Sequence, residues 1–222
     1  MEHGAGEMVA FYEAWMGREE HIVADLTDAL PARRQDVLAP LVDAVMDHVS
    51  DYYEHKARLA DRDVVAAFDP RWLNPLQRTF LWAWEWKPAK VFRFLDGAVV
   101  GSSHAHAHQQ RRALEHLRAA TVEAELEVDR EVAPVQESLA SPGVLAALRR
   151  QHPRNGEADE AVAVVGRSLR PMRSVSAQCG NIVGTLAPDQ AGAFLAAMMR
   201  FHLGVHRAGR NWGSGNGGRR GL

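Results

Sequence analysis

The sequence predicts an all-α fold, an elongated multi-helix bundle with a long central helix. Three observations lead there. Apolar residues recur three or four apart in segment after segment, the spacing that gathers them on one face of a helix. Pro, Asn and Gly stand where such segments should start or stop. The longest alternating run is Trp82, Trp84 and Trp86, and no second run is present to pair with it as a strand.

Phe11, Trp15, Ile22 and Leu26, with Arg18, Glu19, Glu20 and Asp25 between them, define a first amphipathic helix that Pro31 stops. A second helix runs from about Asp36 past Leu59 on a broad stripe of Leu38, Leu41, Val42, Val45, Met46, Val49, Tyr52 and Tyr53. Pro40 is early enough in it to be tolerated. His48, Tyr52 and Lys56 share one face of this helix, expected to be a polar face packed against the aromatic segment that follows. Asn74 before Pro75 is an N-cap with proline at the first helical position, opening a third helix through the tryptophans. Lys87-Pro88 opens a shorter helix that Gly97 closes.

The longest periodic element follows, with Leu114, Leu117, Thr121, Ala124, Val128, Val132, Val135 and Leu139 forming a seam for packing against other helices. Pro134 removes one backbone hydrogen bond at a cost of roughly 3 kcal/mol, so a kink is expected there. Ser141-Pro142 and the segment from Gln151 to Glu157 carry turn chemistry. Two last helices are expected, from about Ala158 to Leu186 and from Asp189 to about Gly209. The residues after Trp212, GSGNGGRRGL, are disordered by composition.

The bulk properties narrow the function classes. A chain of 222 residues with 46% hydrophobic and 24% charged residues can bury a sizeable core. Its 26 Lys and Arg against 28 Asp and Glu leave no basic excess to draw it to nucleic acid or to an anionic membrane. The single cysteine, Cys179, cannot form an internal disulfide, and MEHGAGEM lacks the basic and then apolar run of a secretory signal, which together point to nucleus and cytosol. No stretch approaches the ~20 apolar residues that span a bilayer.

Four of the six tryptophans, Trp72, Trp82, Trp84 and Trp86, fall within fifteen residues. Tryptophan buries a large area and brings one N–H that needs a partner, so the cluster is either a core knot or a partner-binding groove. His104, His106 and His108 alternate, a spacing that converges on a zinc ion in an extended segment, but no carboxylate or second ligand group accompanies them, and a solvated loop is the expectation. No metal site is assigned. Nor is any catalytic residue, since no nucleophile or carboxylate pair stands at informative spacing, GSGNGG follows no strand, and Cys179 has no assigned histidine partner.

The segment from Asp69 to Leu95, DPRWLNPLQRTFLWAWEWKPAKVFRFL, resembles the central signature of the plant Delay of Germination domain, shared by seed-dormancy regulators and the C-terminal half of TGA-type bZIP factors. HVSDYYEHK from His48 to Lys56 is similar to that family's His-x-x-x-Tyr-x-x-x-Lys helix, VQESLAS around Gln136 to the Gln-containing end of its long helix, and LAPDQAGAFLAA from Leu186 to its Leu-Thr-x-x-Gln-Ala-x-x-Phe-Leu segment. The resemblance runs from Phe11 to Trp212 and implies a domain at residues 5–212, with 213–222 as a disordered Gly/Arg-rich tail. With no basic region or leucine zipper before the first helix, it is the stand-alone regulator branch that is resembled. Two positions depart: Trp84-Glu85 replaces a common Gly-Gly pair, and Ala187 stands where a capping Thr is usual, a loss of about 1 kcal/mol unless Asp189 compensates.

The resemblance implies a non-enzymatic regulator acting by protein-protein contact in seed dormancy, germination and abscisic-acid signalling, with type two C protein phosphatases as partners. The rival is a transcription-regulation module working with bZIP transcription factors or contacting DNA, although the neutral charge leads us to expect no direct DNA binding. A third reading is a haem or small-ligand sensor. The resemblance places the haem at His202 and His206, near Met198, Met199 and Phe201. One turn apart on one helix face, about 6 Å along the axis, these two cannot ligate one iron from both sides.

Overall fold

The computed structural model describes residues 2–63, 66–67, 69–85, 88–95, 107–139 and 179–215. Every regular element among them is helical: α1 (Glu2–Ala29), α2 (Gln35–Arg62), α3 (Pro75–Glu85), α4 (Ala107–Leu139) and α5 (Pro188–Gly215), with 3-10 segments at Leu30–Ala32 and Pro88–Phe94. The all-α reading holds. Residues 179–183 are also helical, and they lie in the expected Ala158 to Leu186 helix, whose earlier part falls outside the described residues.

α1 and α2 form a hairpin. Pro31 ends the α-helical hydrogen bonding, and the chain turns through a 3-10 segment whose last link is the Arg33 N–H to the Leu30 carbonyl. Arg33 makes that turn at φ 49°, in the left-handed region. α5 packs against both helices of the hairpin. Leu26, Leu38, Val45, Phe194 and Leu195 are fully buried where the three meet. Gly192 permits this closeness, because a Cβ there would approach Leu26 and Leu30 side chains at 3.3 Å.

α3 and the Pro88–Phe94 segment cover α5 from another side, and α4 touches the same segment. An α-helix was expected after Lys87-Pro88; a 3-10 segment forms instead. Three residues per turn sets Phe92 in line with Leu95, so a short peptide buries both against the core. α4 follows the expected seam at Leu114, Leu117 and Thr121, but Ala124 is exposed and the line continues through Glu125. The helical run passes through Pro134 to Leu139.

α5 also runs on past Gly209, to Gly215. Gly209 does not end the helix because it has another use. The Asn74 side chain lies where a Cβ on residue 209 would stand. The expected tail thus begins as helix at residues 213–215, and 216–222 lie outside the described residues.

Candidate functional site: a buried polar junction

Where α1, α2, α3 and α5 converge, polar and aromatic side chains replace the aliphatic core. Glu19 interrupts the apolar face of α1 and is buried, its side chain 1% exposed. Both its carboxylate oxygens lie 2.9 Å from His202 Nδ1 on α5. Trp15, one turn earlier on α1, donates its indole N–H to the His48 carbonyl at 2.8 Å and stacks on the His48 ring at 4.2 Å and 9°. It also meets the His202 ring edge-on at 5.7 Å.

One turn further along α5, His206 presents Nδ1 to Gln77 Oε1 at 3.3 Å and packs its ring against Tyr12 at 6.2 Å. Gln77 donates to the Tyr12 hydroxyl at 2.6 Å. The same glutamine closes the start of α3. Its N–H donates to Asn74 Oδ1 at 2.9 Å, while its own Oε1 accepts the Asn74 N–H at 3.2 Å, a reciprocal cap. Asn74 then donates from Nδ2 to the His206 carbonyl at 3.1 Å. Four side chains thereby tie three helices together.

Electrostatics follow from burial. Desolvation pushes His48 down to about 4, with Arg18 and His202 adding to the effect and Asp51 opposing it. His206 is lowered chiefly by the same cause. Both imidazoles are therefore neutral at pH 7. His48 Nε2 is a buried atom without a hydrogen-bond partner among the described residues. Burial raises the Cys179 thiol to about 12, so it is an inert core group beside Met198.

The sequence-derived candidates are distributed unevenly over this junction. His202 and His206 both belong to it, each bonded to a residue of another helix. His48, Tyr52 and Lys56 lie along one face of α2 as expected; His48 stacks on Trp15 of α1, and Tyr52 meets Tyr12 and Trp15 of the same helix. Trp72 is half-buried and packs with Met8, Leu59 and Ala67, its indole nitrogen buried without a bonded partner among the described residues. Trp82 and Trp84 are on α3, so the alternation there is helical; Trp86 lies outside the described residues. His108 is an exposed residue of α4, and His104 and His106 fall outside. Among the described residues no group of three potential metal ligands occurs, and no helix is long and apolar enough to cross a membrane.

Glu19, Tyr12, Gln77 and the partnership of Trp15 were not anticipated. One signal was available: an acid one turn after Trp15 and one turn before Val23 stands on the face that should be apolar.

A family model described as seed dormancy control, DOG1, matches residues 22–96. The chain is 30% identical over 214 residues to Protein DOG1-like 4 of Arabidopsis thaliana, spanning 91% of this chain and 92% of that protein. The chain belongs to the Delay of Germination family. Within this family it is also 28% identical to Protein RESPONSE TO ABA AND SALT 1 of Arabidopsis thaliana, over 87% of this chain and 90% of that protein. Similarity to Transcription factor TGA2.3 of rice is shorter, 25% identity over 58% of this chain and 38% of that protein.

The Delay of Germination match at residues 22–96 takes in His48, Lys56 and Asn74 but stops short of His202 and begins after Glu19. At the α5 start, Gln190 accepts the Ala187 N–H at 3.0 Å, the half of a capping box that needs no side-chain acceptor at residue 187. Gln190 also exchanges hydrogen bonds with Gln110 of α4 at 2.8 and 3.2 Å, linking the LAPDQ segment to the long helix.

Proposed function

We propose that this chain is a non-enzymatic regulator of seed dormancy and germination in the abscisic-acid response, acting by protein-protein contact in nucleus and cytosol. The observation that carries the reading is the end-to-end similarity to Protein DOG1-like 4 and Protein RESPONSE TO ABA AND SALT 1, each covered over at least 90% of its length. The junction adds support. His202, His206, Gln77 and Tyr12 bond to residues of other helices, a use of polar groups that fixes helix positions. Type two C protein phosphatases are the proposed partners. Affinity purification with the full chain from imbibing seed tissue, read by mass spectrometry, should recover them; recovery of bZIP factors without any phosphatase would replace this reading with the transcriptional one.

Direct DNA contact is not part of the proposal, because phosphate neutralisation needs a cationic surface that a net charge of -2 does not favour. Duplex binding at physiological salt should be weak and indifferent to sequence. A tight, sequence-specific complex formed by this chain alone would overturn the point.

Haem is a second reading, favoured by the Glu19 carboxylate on His202 Nδ1. A carboxylate that holds Nδ1–H fixes the tautomer whose Nε2 is the iron-binding atom. His206 has its own Nδ1 on Gln77 and sits one turn away, so it would not oppose His202 across the same iron. Hemin titration should give a saturable Soret shift that His202→Ala weakens and that replacements of His104, His106 and His108 leave alone. An unchanged titration in both His202→Ala and His206→Ala would remove haem from this site.

A further inference from the structure

Three phenylalanines from three elements meet at the surface instead of in the core. Phe201 of α5 is 44% exposed, and its ring lies 6.3 Å from Phe80 of α3 and 5.7 Å from Phe94 of the 3-10 segment. Both partner rings are half-buried. Ala197, Gly204 and Ala208 share the Phe201 side of α5 by helical spacing, and none of them is buried. A Cβ on Gly204 would meet nothing within 4 Å. The opposite edge of this open strip is polar: Arg200 donates to the Thr27 hydroxyl at 2.8 Å and Arg207 pairs with Glu20 at 3.0 Å, both on α1.

Charge on this part of the chain has one sign. From Gln190 to Leu222 the sequence carries five arginines, Arg200, Arg207, Arg210, Arg219 and Arg220, and no Asp or Glu, although the net charge of the chain is -2. Glu20 matches Arg207, whereas Arg200 bonds a neutral hydroxyl and has no carboxylate partner among the described residues. Exposed Arg93, next to Phe94 in sequence, has none there either. An exposed aromatic with arginine beside it is the composition of an interface hot spot. Among the described residues no strand edge is on offer, so a partner segment cannot add by backbone pairing and must be read by side chains along a helix.

We propose that this face of α5 docks an acidic amphipathic helix of a partner protein, which sets a large apolar side chain beside Phe201 over Gly204 and carboxylates on Arg200. Charge complementarity selects the occupant, since a neutral or basic segment would cover Arg200 without compensating it. The strip from Ala197 to Ala208 is about 16 Å long, room for three turns of such a helix. A nucleic acid is the poorer fit, because a phosphate backbone needs a row of uncommitted cations and Arg207 is already held by Glu20. The inference rests on the reading of this chain as a regulator that works by protein contact, and it names the chemistry of that contact.

Selection from a displayed library of random peptides, each long enough for about four helical turns, tests it with the purified full chain as bait. Enriched sequences should combine Asp or Glu with Phe, Leu or Trp at helical spacing. Synthesised and labelled, they should bind the wild type by fluorescence polarisation and lose affinity by about tenfold or more on Phe201→Ser. Gly204→Glu controls for misfolding, because open space lies above that position; it should repel the same peptides with circular dichroism and urea midpoint retained. Arg200→Glu should weaken binding, and exchanging the acids of the peptide for lysine should recover it. Enrichment without acids, peptide binding indifferent to Phe201→Ser and Gly204→Glu, or a poly(U) probe that binds this face where no peptide does would each overturn the proposal. Any of these would leave the regulatory reading to the seed-tissue purification, which uses neither variant nor peptide.

Discussion

The Glu19 carboxylate and His202 Nδ1 meet at 2.9 Å across 183 residues of sequence, joining α1 to α5 inside the fold. A carboxylate this buried costs several kcal/mol in desolvation unless a partner compensates. Removing the partner should therefore cost more than the bond itself is worth. His202→Ala is expected to destabilise the chain by about 3 to 5 kcal/mol in urea unfolding. Glu19→Gln, which removes the charge and keeps hydrogen-bonding capacity, should cost clearly less; equal losses would show that charge burial is not the cause.

Trp15 offers a division between area and bonding. Trp15→Ala removes a buried indole stacked on His48 and should cost about 3 to 5 kcal/mol. Trp15→Phe retains most of the ring contact and loses only the N–H to the His48 carbonyl, about 1 kcal/mol. Unfolding midpoints of the two variants measured together check the ratio.

The pH dependence has a definite sign. His48 titrates near 4 in the folded chain and near its ordinary 6.5 when unfolded, so the unfolded state holds more protons between those values. Stability from this residue is complete above about pH 6.5 and is lost as pH falls toward 4. His206, also lowered, acts in the same direction. Urea midpoints measured from pH 7 to 4.5 should fall, and His48→Gln should flatten the slope; a slope unchanged by that substitution assigns the dependence elsewhere.

Gly209→Ala should destabilise the protein, although alanine is the better helix former by roughly 1 kcal/mol. Its Cβ would displace Asn74, which caps α3 and holds the His206 carbonyl. In an Asn74→Gly background the same substitution should turn neutral or stabilising. A double-mutant cycle measures this coupling, and strict additivity would show the two residues to be independent.

Gly209 also shows where sequence reading reaches its limit. Spacing alone identified the helices, because amphipathic periodicity reports burial directly, and Asn74-Pro75 marked the start of α3 because capping is a local event. A glycine near a helix end reads as a terminus by the same local logic. Its actual cause is Asn74, more than a hundred residues away in sequence and invisible to periodicity. The candidate site divides likewise: His202 and His206 stood out by spacing, whereas Glu19 could be paired with His202 only once α1 and α5 were seen side by side. The tryptophan alternation at Trp82 and Trp84 was a helix, since two-residue spacing without a pairing strand carries no sheet information.

The meeting of α1 with α5 imposes an order of events on synthesis. The hairpin of α1 and α2 emerges early with the apolar faces of Leu26, Leu38 and Val45 formed but uncovered, and Glu19 has no His202 to face until the last helix has left the ribosome. The hairpin must wait for α5. Nascent chains stalled before residue 188 should therefore hold chaperones and be degraded quickly, and a frameshift late in the coding sequence should be as damaging to this protein as one near its start.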